Sequence, residues 1–188
     1  MKGVGVITYV ALLRGINVSG QKSIRMADLV KLFESLKFRK VRTYVQSGNV
    51  VFESGSADAS AIAGKIEKKI RQKYGFDVSV IIRTPEELET IISRNPFARE
   101  HQKETERLYV TFLAKIPDDR LASDLDMKKD AKEKFTIKGK EIYLYCPNGY
   151  GRTKLNNTTF ERKLKLIATT RNWKTTTTLL EMAKSRKA

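Results

Sequence analysis

The stretch VRTYVQSGNVVFE, residues 41–53, places two short runs of strand-forming residues on either side of Ser47-Gly48. The runs at 41–46 and 49–53 are rich in β-branched and aromatic residues, which fit a pleated sheet. Serine followed by glycine permits a tight turn between them. The stretch therefore predicts a β-hairpin, and its neighbours decide which sheet the hairpin joins.

The segments around this hairpin complete a known order of elements. A strand is predicted at 6–13, where residues are apolar at odd and even positions alike, a pattern that indicates burial on both faces. Helical spacing of apolar residues predicts helices at 26–36 and 59–74, the second ended by Gly75. A strand at 78–82 closes the series. The order β-α-β-β-α-β is typical of a ferredoxin-like fold, or α/β plait.

The second half repeats most of this order. It carries a strand at 108–113, a helix at 118–126, a hairpin of strands at 134–137 and 141–145, and a helix from 158 to 167 that a capping box at 158–161 opens. The last strand is missing or reduced to 168–170. A terminal helix from about Trp173, capped by Asn172, takes its place.

We therefore predict an α+β protein of two ferredoxin-like (α/β plait) subdomains, the second lacking a full final strand and ending in helices. The first subdomain covers 1–94 and includes a connecting helix with Thr84 as its cap. A linker covers 95–106, and the second subdomain covers 107–188.

The charge balance indicates a polyanionic partner. The chain has 188 residues, of which 37 are Lys or Arg and 21 are Asp or Glu, giving a net charge of +16. Such an excess attracts nucleic acid or an anionic membrane surface. Basic residues cluster at 65–73 and after Gly149, which favours a functional surface. The alternative is a solvated surface whose charge only keeps the protein soluble.

Other function classes are limited by what the sequence lacks. No stretch approaches the roughly 20 apolar residues that span a membrane, and the apolar run before Arg14 is short for a signal peptide. We expect a soluble, cytoplasmic protein with no membrane partner; a homo-oligomer is open but not indicated. The single Cys146 excludes an internal disulfide and is expected to be a buried strand residue. The single His101 excludes zinc sites built on several histidines or cysteines and is expected in an exposed loop, so no metal or cofactor is expected.

Residues 14–20, RGINVSG, lie just beyond the first strand. Glycines allow a ligand to approach the backbone closely, and Arg14 and Asn17 supply hydrogen-bond donors. The dinucleotide fingerprint G-x-G-x-x-G is absent. The alternative is a structural loop in which the asparagine stabilises a turn.

The hairpin turn holds Gln46, Ser47 and Asn49, which are either ligand contacts or turn chemistry alone. Because the first and third strands of the plait are adjacent and antiparallel, we expect Arg14 and Asn49 near opposite ends of those strands. This expectation speaks against one pocket built from both motifs. The third strand also lacks the exposed aromatic residues with which RNA-recognition motifs stack bases.

Two further motifs lie in the second half. Residues 149–154, GYGRTK, join a strand to a helix, where backbone amides can hold an anion, although the spacing of an ATP-binding loop is absent. Residues 171–174, RNWK, precede the last helix. Trp173 is expected to anchor the core, which leaves Arg171 and Lys174 for ligand contact.

Four stretches together resemble a bacterial family of unknown function whose signature reads LLRGINVGG, then QSGNVVF, then TRNWxT. They lie at 9–18, 41–52, 154–155 and 169–175, in the same order, and Ser19 stands where the family usually has glycine. The resemblance implies a cytoplasmic α+β protein with two plait-like halves. It implies no catalytic residue, because no activity is established for the family.

The motif positions give a candidate ligand-binding surface: Arg14, Asn17, Gln46, Ser47, Asn49, Lys154, Arg171 and Asn172. Our first hypothesis is a binding protein for phosphate-bearing ligands, nucleic acid foremost, in which Lys154 and Arg171 neutralise phosphates. The alternatives are an enzyme acting on a small anionic substrate at the Arg14 and Gln46 motifs, and a protein-interaction module. Catalytic residues are unknown.

Overall fold

The computed structural model describes residues 5–18, 20–123, 125 and 132–185. The chain forms two compact units, one made of residues 1–89 with 178–188 and the other of residues 90–177. The predicted second subdomain includes 178–188, so the observed units divide the C-terminal end differently. Among the described helices, none is long and apolar enough to cross a membrane.

The first unit contains the predicted β-α-β-β-α-β series. Its strands are β1 (Ile7–Leu13), β2 (Arg39–Tyr44), β3 (Asn49–Ser54) and β4 (Val80–Arg83), and its helices are α1 (Met26–Ser35), α2 (Ala59–Tyr74) and the first part of α3 (Pro85–Ser93). The sheet order is β2-β3-β1-β4, and every neighbouring pair is antiparallel. This is the ferredoxin-like arrangement that the predicted order of elements indicates.

Strand β1 is buried on both faces, as its apolar pattern predicts. Ala11 and Leu13 belong to the core that contains Phe33 of α1 and Ile66 of α2, while Val10 on the other face is also fully buried. Each large apolar side chain removed from water in this way contributes about 1.5–3 kcal/mol before conformational entropy is counted. The central strand therefore fixes the position of the loops that leave its ends.

The second unit has the same topology. Its strands are β5 (Leu108–Leu113), β6 (Lys134–Lys138), β7 (Glu141–Tyr145) and β8 (Ala168–Asn172), and its helices are α4 (Pro96–Glu100), α5 (Asp119–Ser123), α6 (Asn157–Leu164) and the start of α7 (Trp173–Lys184). The sheet order is β6-β7-β5-β8, again antiparallel throughout. The predicted α+β fold of two ferredoxin-like subdomains is confirmed.

One detail of that prediction needs correction, because the final strand of the second unit is complete. Strand β8 pairs with β5 over its full length, from Ala168 opposite Leu113 to Asn172 opposite Tyr109. The polar residues at its end fit a sheet because they bond locally: Thr170 shares a hydrogen bond of 2.7 Å with Thr111 of β5. The terminal helix follows this strand instead of replacing it.

Some helix ends follow the sequence signals and others do not; α6, predicted at 158–167, ends at Leu164. Thr84 and Glu87 exchange backbone-to-side-chain hydrogen bonds at the start of α3, a reciprocal capping box. In contrast, α6 begins after Asn156, whose side chain accepts from the Thr159 N–H, so the predicted box at 158–161 is wrong. Helix α5 ends at Ser123, and Leu125 is not helical, so the predicted helix at 118–126 is too long. Residues 124 and 126 lie outside the described residues.

The end of α7 belongs to the first unit and contacts its edge strand. Arg42 of β2 donates from one guanidinium nitrogen to the Met182 carbonyl at 2.5 Å and from the other to the Ser185 hydroxyl at 3.0 Å. Lys184 forms an ion pair with Glu89 of α3. Residues from both ends of the described chain therefore stabilise the first unit.

Candidate functional site

The two motif loops of the first unit lie side by side. Leu12 pairs with Asn49, and the Leu13 N–H donates to the Gly48 carbonyl at 2.8 Å. The expectation that Arg14 and Asn49 lie at opposite ends is therefore wrong. In an antiparallel pair the end of one strand lies beside the start of the other, so β1 and β3 bring their motifs together.

Asn17 joins these loops through its side-chain amide. Its Oδ1 accepts from the Ile24 N–H at 2.8 Å, and its Nδ2 donates to the carbonyls of Ile24 at 3.0 Å and Gln46 at 2.8 Å. The backbone of Asn17 is left-handed, with φ of 55°, a conformation that asparagine tolerates better than most residues. The Asn17 side chain, predicted from the sequence to contact a ligand, instead links the loop at 14–20 to the turn at 45–48.

The turn from β2 to β3 spans residues 45–48, because Tyr44 pairs with Asn49. Asn49 is fully buried and donates to the Tyr44 carbonyl at 3.0 Å and to the Ser47 hydroxyl at 2.9 Å. Ser47 and Gln46 are exposed. Of the predicted site residues in this motif, Gln46 and Ser47 are therefore the two at the surface.

Gly48 is required at this turn for two reasons. Its φ is +76°, and a Cβ built on it would lie 2.8 Å from the Ile16 Cδ1 and 2.8 Å from the Leu13 Cβ. Both atoms belong to buried side chains. The RGIN and QSGN motifs therefore fit against each other at van der Waals distance, with Arg14 half-buried at the start of the loop.

Val45 carries backbone strain in the same turn. Its φ is 49°, and it is 50% exposed. A β-branched residue in this region is strained by about 1–3 kcal/mol. We expect Val45→Asn to raise the free energy of unfolding by about 1 kcal/mol, measured by urea denaturation. Val18→Asn is the control, because Val18 is similarly exposed at 58% without a left-handed backbone; an equal gain there would contradict the assignment of strain.

The motif residues of the second unit separate into buried and exposed groups. Arg171 is buried and donates to the Thr169 hydroxyl at 2.8 Å and the Thr170 carbonyl at 2.9 Å. Burial lowers the pKa of its guanidinium to about 10. Asn172 caps α7 by accepting from the Thr175 N–H at 2.7 Å, as the sequence predicts. Lys154 is exposed, so it alone of the three presents a free charge to solvent.

Two single-copy residues limit the chemistry available in this unit. Cys146 is fully buried, and desolvation raises the pKa of its thiol to about 12, which keeps it a poor nucleophile at neutral pH. His101 is not an exposed loop residue as expected. Its ring stacks on Tyr145 at 3.7 Å, and its Nδ1 lies 3.3 Å from a carboxylate oxygen of Glu104.

Helices α2 and α6 share a six-residue pattern that is not among the motifs described in the sequence analysis. Residues 66–71 read IEKKIR and residues 160–165 read FERKLK. The first and fifth residues of each are buried apolar side chains, and the third is exposed. The two helices occupy the same place in the two plaits, so aligning their sequences reveals the shared pattern.

The glutamate of each pattern is directed toward the sheet of its own unit. A carboxylate oxygen of Glu67 accepts from the Val80 N–H at 2.8 Å, and one of Glu161 accepts from the Ala168 N–H at 3.0 Å. Val80 and Ala168 are the first residues of β4 and β8. The only acidic residue in each pattern therefore binds a backbone N–H of its own sheet. Arg71, the last cation of the first pattern, pairs with Asp77 instead.

The basic residues on and next to these two helices fall into two groups along the sequence. We name them the α2 face, formed by Lys65, Lys68 and Lys69, and the α6 face, formed by Arg152, Lys154, Arg162, Lys163 and Lys165. Within the described part of the chain, no carboxylate pairs with any of these eight side chains. By contrast, the cations Lys40 and Arg71 of the first unit form ion pairs with Glu53 and Asp77.

Comparison with known proteins agrees with this architecture. The structure is similar to that of the conserved bacterial protein SP0830 from Streptococcus pneumoniae, with a TM-score of 0.72 and 26% identity over 96% of this chain and 100% of the other. No curated protein matches the sequence. The model of a family described as a protein of unknown function, DUF1697, matches residues 6–143. The chain therefore belongs to the DUF1697 family.

Proposed function

We propose that this protein binds phosphate-bearing polymers, nucleic acid foremost, through the α2 face and the α6 face. The observation that carries the proposal is the pair of inward-directed glutamates. Glu67 and Glu161 are each adjacent in sequence to a basic residue, and one carboxylate oxygen of each accepts a backbone N–H at the start of a strand. Cations one or two residues from a glutamate on a helix lie on other sides of the helix. Lys65, Lys68, Lys69, Arg162 and Lys163 therefore point away from the one carboxylate of their pattern, which leaves their charge available to an external anion.

The spacing of the cations suits a charged polymer. Residues three or four apart on a helix lie about 5–6 Å apart at Cβ, so Lys65 and Lys68 present two charges along one side of α2. Duplex DNA carries one negative charge per about 1.7 Å of axis, and each phosphate that a cation neutralises releases counterions. Flexible lysine and arginine side chains can follow such a backbone without reading its sequence. Arg171, which is buried, has no part in this proposal.

The test is binding to a labelled oligonucleotide, single- and double-stranded, by fluorescence anisotropy across a salt series. K65Q/K68Q weakens the α2 face, and R162Q/K165Q weakens the α6 face. We expect each variant to lower the log–log salt slope by up to about 0.9 per lost duplex phosphate contact. The matched control is K40Q/K184Q, which also removes two positive charges, both taken from ion pairs with Glu53 and Glu89.

Two results would overturn the proposal. If K40Q/K184Q lowered the slope as much as the helix variants do, net charge alone would attract the polymer. If wild-type binding vanished by about 0.15 M salt, the attraction would be the generic one expected of any basic protein. Submicromolar binding near physiological salt, with the slope lost only in the helix variants, would support it.

A further inference from the structure

Strand β6 forms an open edge of the second sheet. It pairs with β7 from Lys134 opposite Tyr145 to Lys138 opposite Glu141, and the sheet order places nothing beyond it. Among the described residues, no backbone group bonds to its other side. In an antiparallel pair, alternate residues of the outer strand direct N–H and C=O groups away from their partner. These groups are available to an added strand.

A groove lies along each side of this edge. One groove, of about 460 Å³, runs between α4 and β6 and is lined by Pro96, Phe97, Lys134, Phe135, Thr136 and Lys138. The other, of about 540 Å³, runs between α5 and β6, and its lining includes Ile116, Leu125, Phe135, Ile137 and the exposed Asp119. Both grooves therefore follow the strand that carries the unpaired backbone groups.

The two grooves differ in chemistry. Lys134 and Lys138 are exposed on the first, where Lys134 is held by Glu100 at 2.9 Å and Lys138 by the Arg94 carbonyl at 3.1 Å. An exposed ion pair such as Lys134–Glu100 contributes about 0–1 kcal/mol, so replacing Glu100 by the carboxylate of a bound segment costs little. The second groove combines apolar side chains, among them Ile116, which is 68% exposed, with polar residues such as Asp119 and Ser123. Because side chains of an added strand alternate between the faces of a sheet, a matching segment alternates acidic and apolar residues.

A second copy of β6 is a poor occupant of this edge. The strand reads KFTIK, so antiparallel pairing about Thr136 would place Lys134 of each copy opposite Lys138 of the other. Like charges directly opposite each other in a sheet are destabilising. Lysines on an edge thus disfavour self-pairing while attracting a strand of opposite charge.

We propose that the open edge of β6 takes up an extended acidic segment of a partner protein as a fifth strand of the second sheet. Backbone hydrogen bonds along β6 give the affinity. The lysine groove and the Ile116 groove select alternating acidic and apolar side chains. This surface is separate in chemistry from the proposed nucleic-acid interface, because it needs a sheet edge with apolar side chains beside it as well as positive charge.

The test uses the full chain and a labelled peptide of alternating glutamate and valine. Its controls are a peptide of the same composition with the glutamates and valines in separate blocks, and an alternating lysine–valine peptide. We expect the alternating acidic peptide to bind most tightly and to slow amide exchange at 134–138. The variant K134E/K138E should lose about tenfold or more in affinity, whereas K65Q/K68Q should bind like wild type.

Three results would overturn the proposal. Equal binding of the block peptide would mean that charge alone recruits it. Unchanged amide exchange at 134–138 would place the peptide elsewhere on the protein. If the peptide failed to bind, sedimentation showed a dimer, and the amides at 134–138 were protected in that dimer, the occupant of the edge would be a second copy of the chain.

Discussion

Gly48→Ala is expected to lower the free energy of unfolding by about 2–5 kcal/mol, enough to unfold many natural domains. A left-handed backbone costs an alanine about 1–2 kcal/mol. The added Cβ would also lie 2.8 Å from buried atoms of Ile16 and Leu13, and forcing a methyl group into a packed site costs about 1–3 kcal/mol. Urea denaturation followed by circular dichroism measures the loss.

Gly15→Ala separates these two costs. Gly15 has φ of +69°, close to that of Gly48, but nothing lies within 4 Å of the position that an added Cβ would take. We therefore expect Gly15→Ala to cost only the backbone penalty, about 1–2 kcal/mol. Equal losses in the two variants would show that the close contact between the motif loops contributes nothing to stability.

Asn17→Ala is expected to cost about 2–4 kcal/mol, because it leaves three backbone groups without their partner. These are the N–H and C=O of Ile24 and the C=O of Gln46. Alanine is also less tolerant than asparagine of the left-handed backbone at this position. Thermal and urea unfolding of the full chain measure the change.

Asn17→Gly and Gln46→Ala are the matched controls. Glycine accepts the backbone conformation, so Asn17→Gly should recover about 1 kcal/mol relative to Asn17→Ala and remain less stable than wild type. Gln46→Ala keeps the carbonyl that Asn17 contacts and removes only an exposed side chain, so its effect should stay within about 0.5 kcal/mol. Wild-type stability in Asn17→Gly would contradict the role of the amide in joining the loops.

The order of elements could be predicted because each element carries its own signal. Apolar periodicity in α2 and the two-sided apolar character of β1 are decided within one segment, and the structure confirms both. The last strand of the second unit is longer than its sequence suggests because its polar residues are satisfied by neighbours such as Thr111. The predicted start of α6 is wrong because Glu161, the expected partner in a capping box, bonds to the Ala168 N–H.

The candidate site was harder to predict, for a physical reason. Asn17, Asn49 and Arg171 are polar residues beside glycines or strand ends, where ligand contacts are common. In the structure their side chains bond to carbonyls, backbone N–H groups and hydroxyls of their own units. A sequence shows that a donor exists, but its acceptor depends on which loops the fold brings together. The α2 face and the α6 face could not be inferred from the sequence, because it does not show that Glu67 and Glu161 bond to backbone N–H groups of the sheets.

The bonds from Arg42 to the end of α7 also bear on the order in which the protein folds during synthesis. Domains generally fold as units from the N-terminus as the ribosome releases the chain. Here the first unit includes residues 178–188, which are translated after all of the second unit. The second unit is therefore the first to have its whole sequence outside the ribosome. Until Met182 and Ser185 emerge from the ribosome, Arg42 of β2 lacks its hydrogen-bond acceptors. The first unit therefore begins synthesis first but completes its fold last.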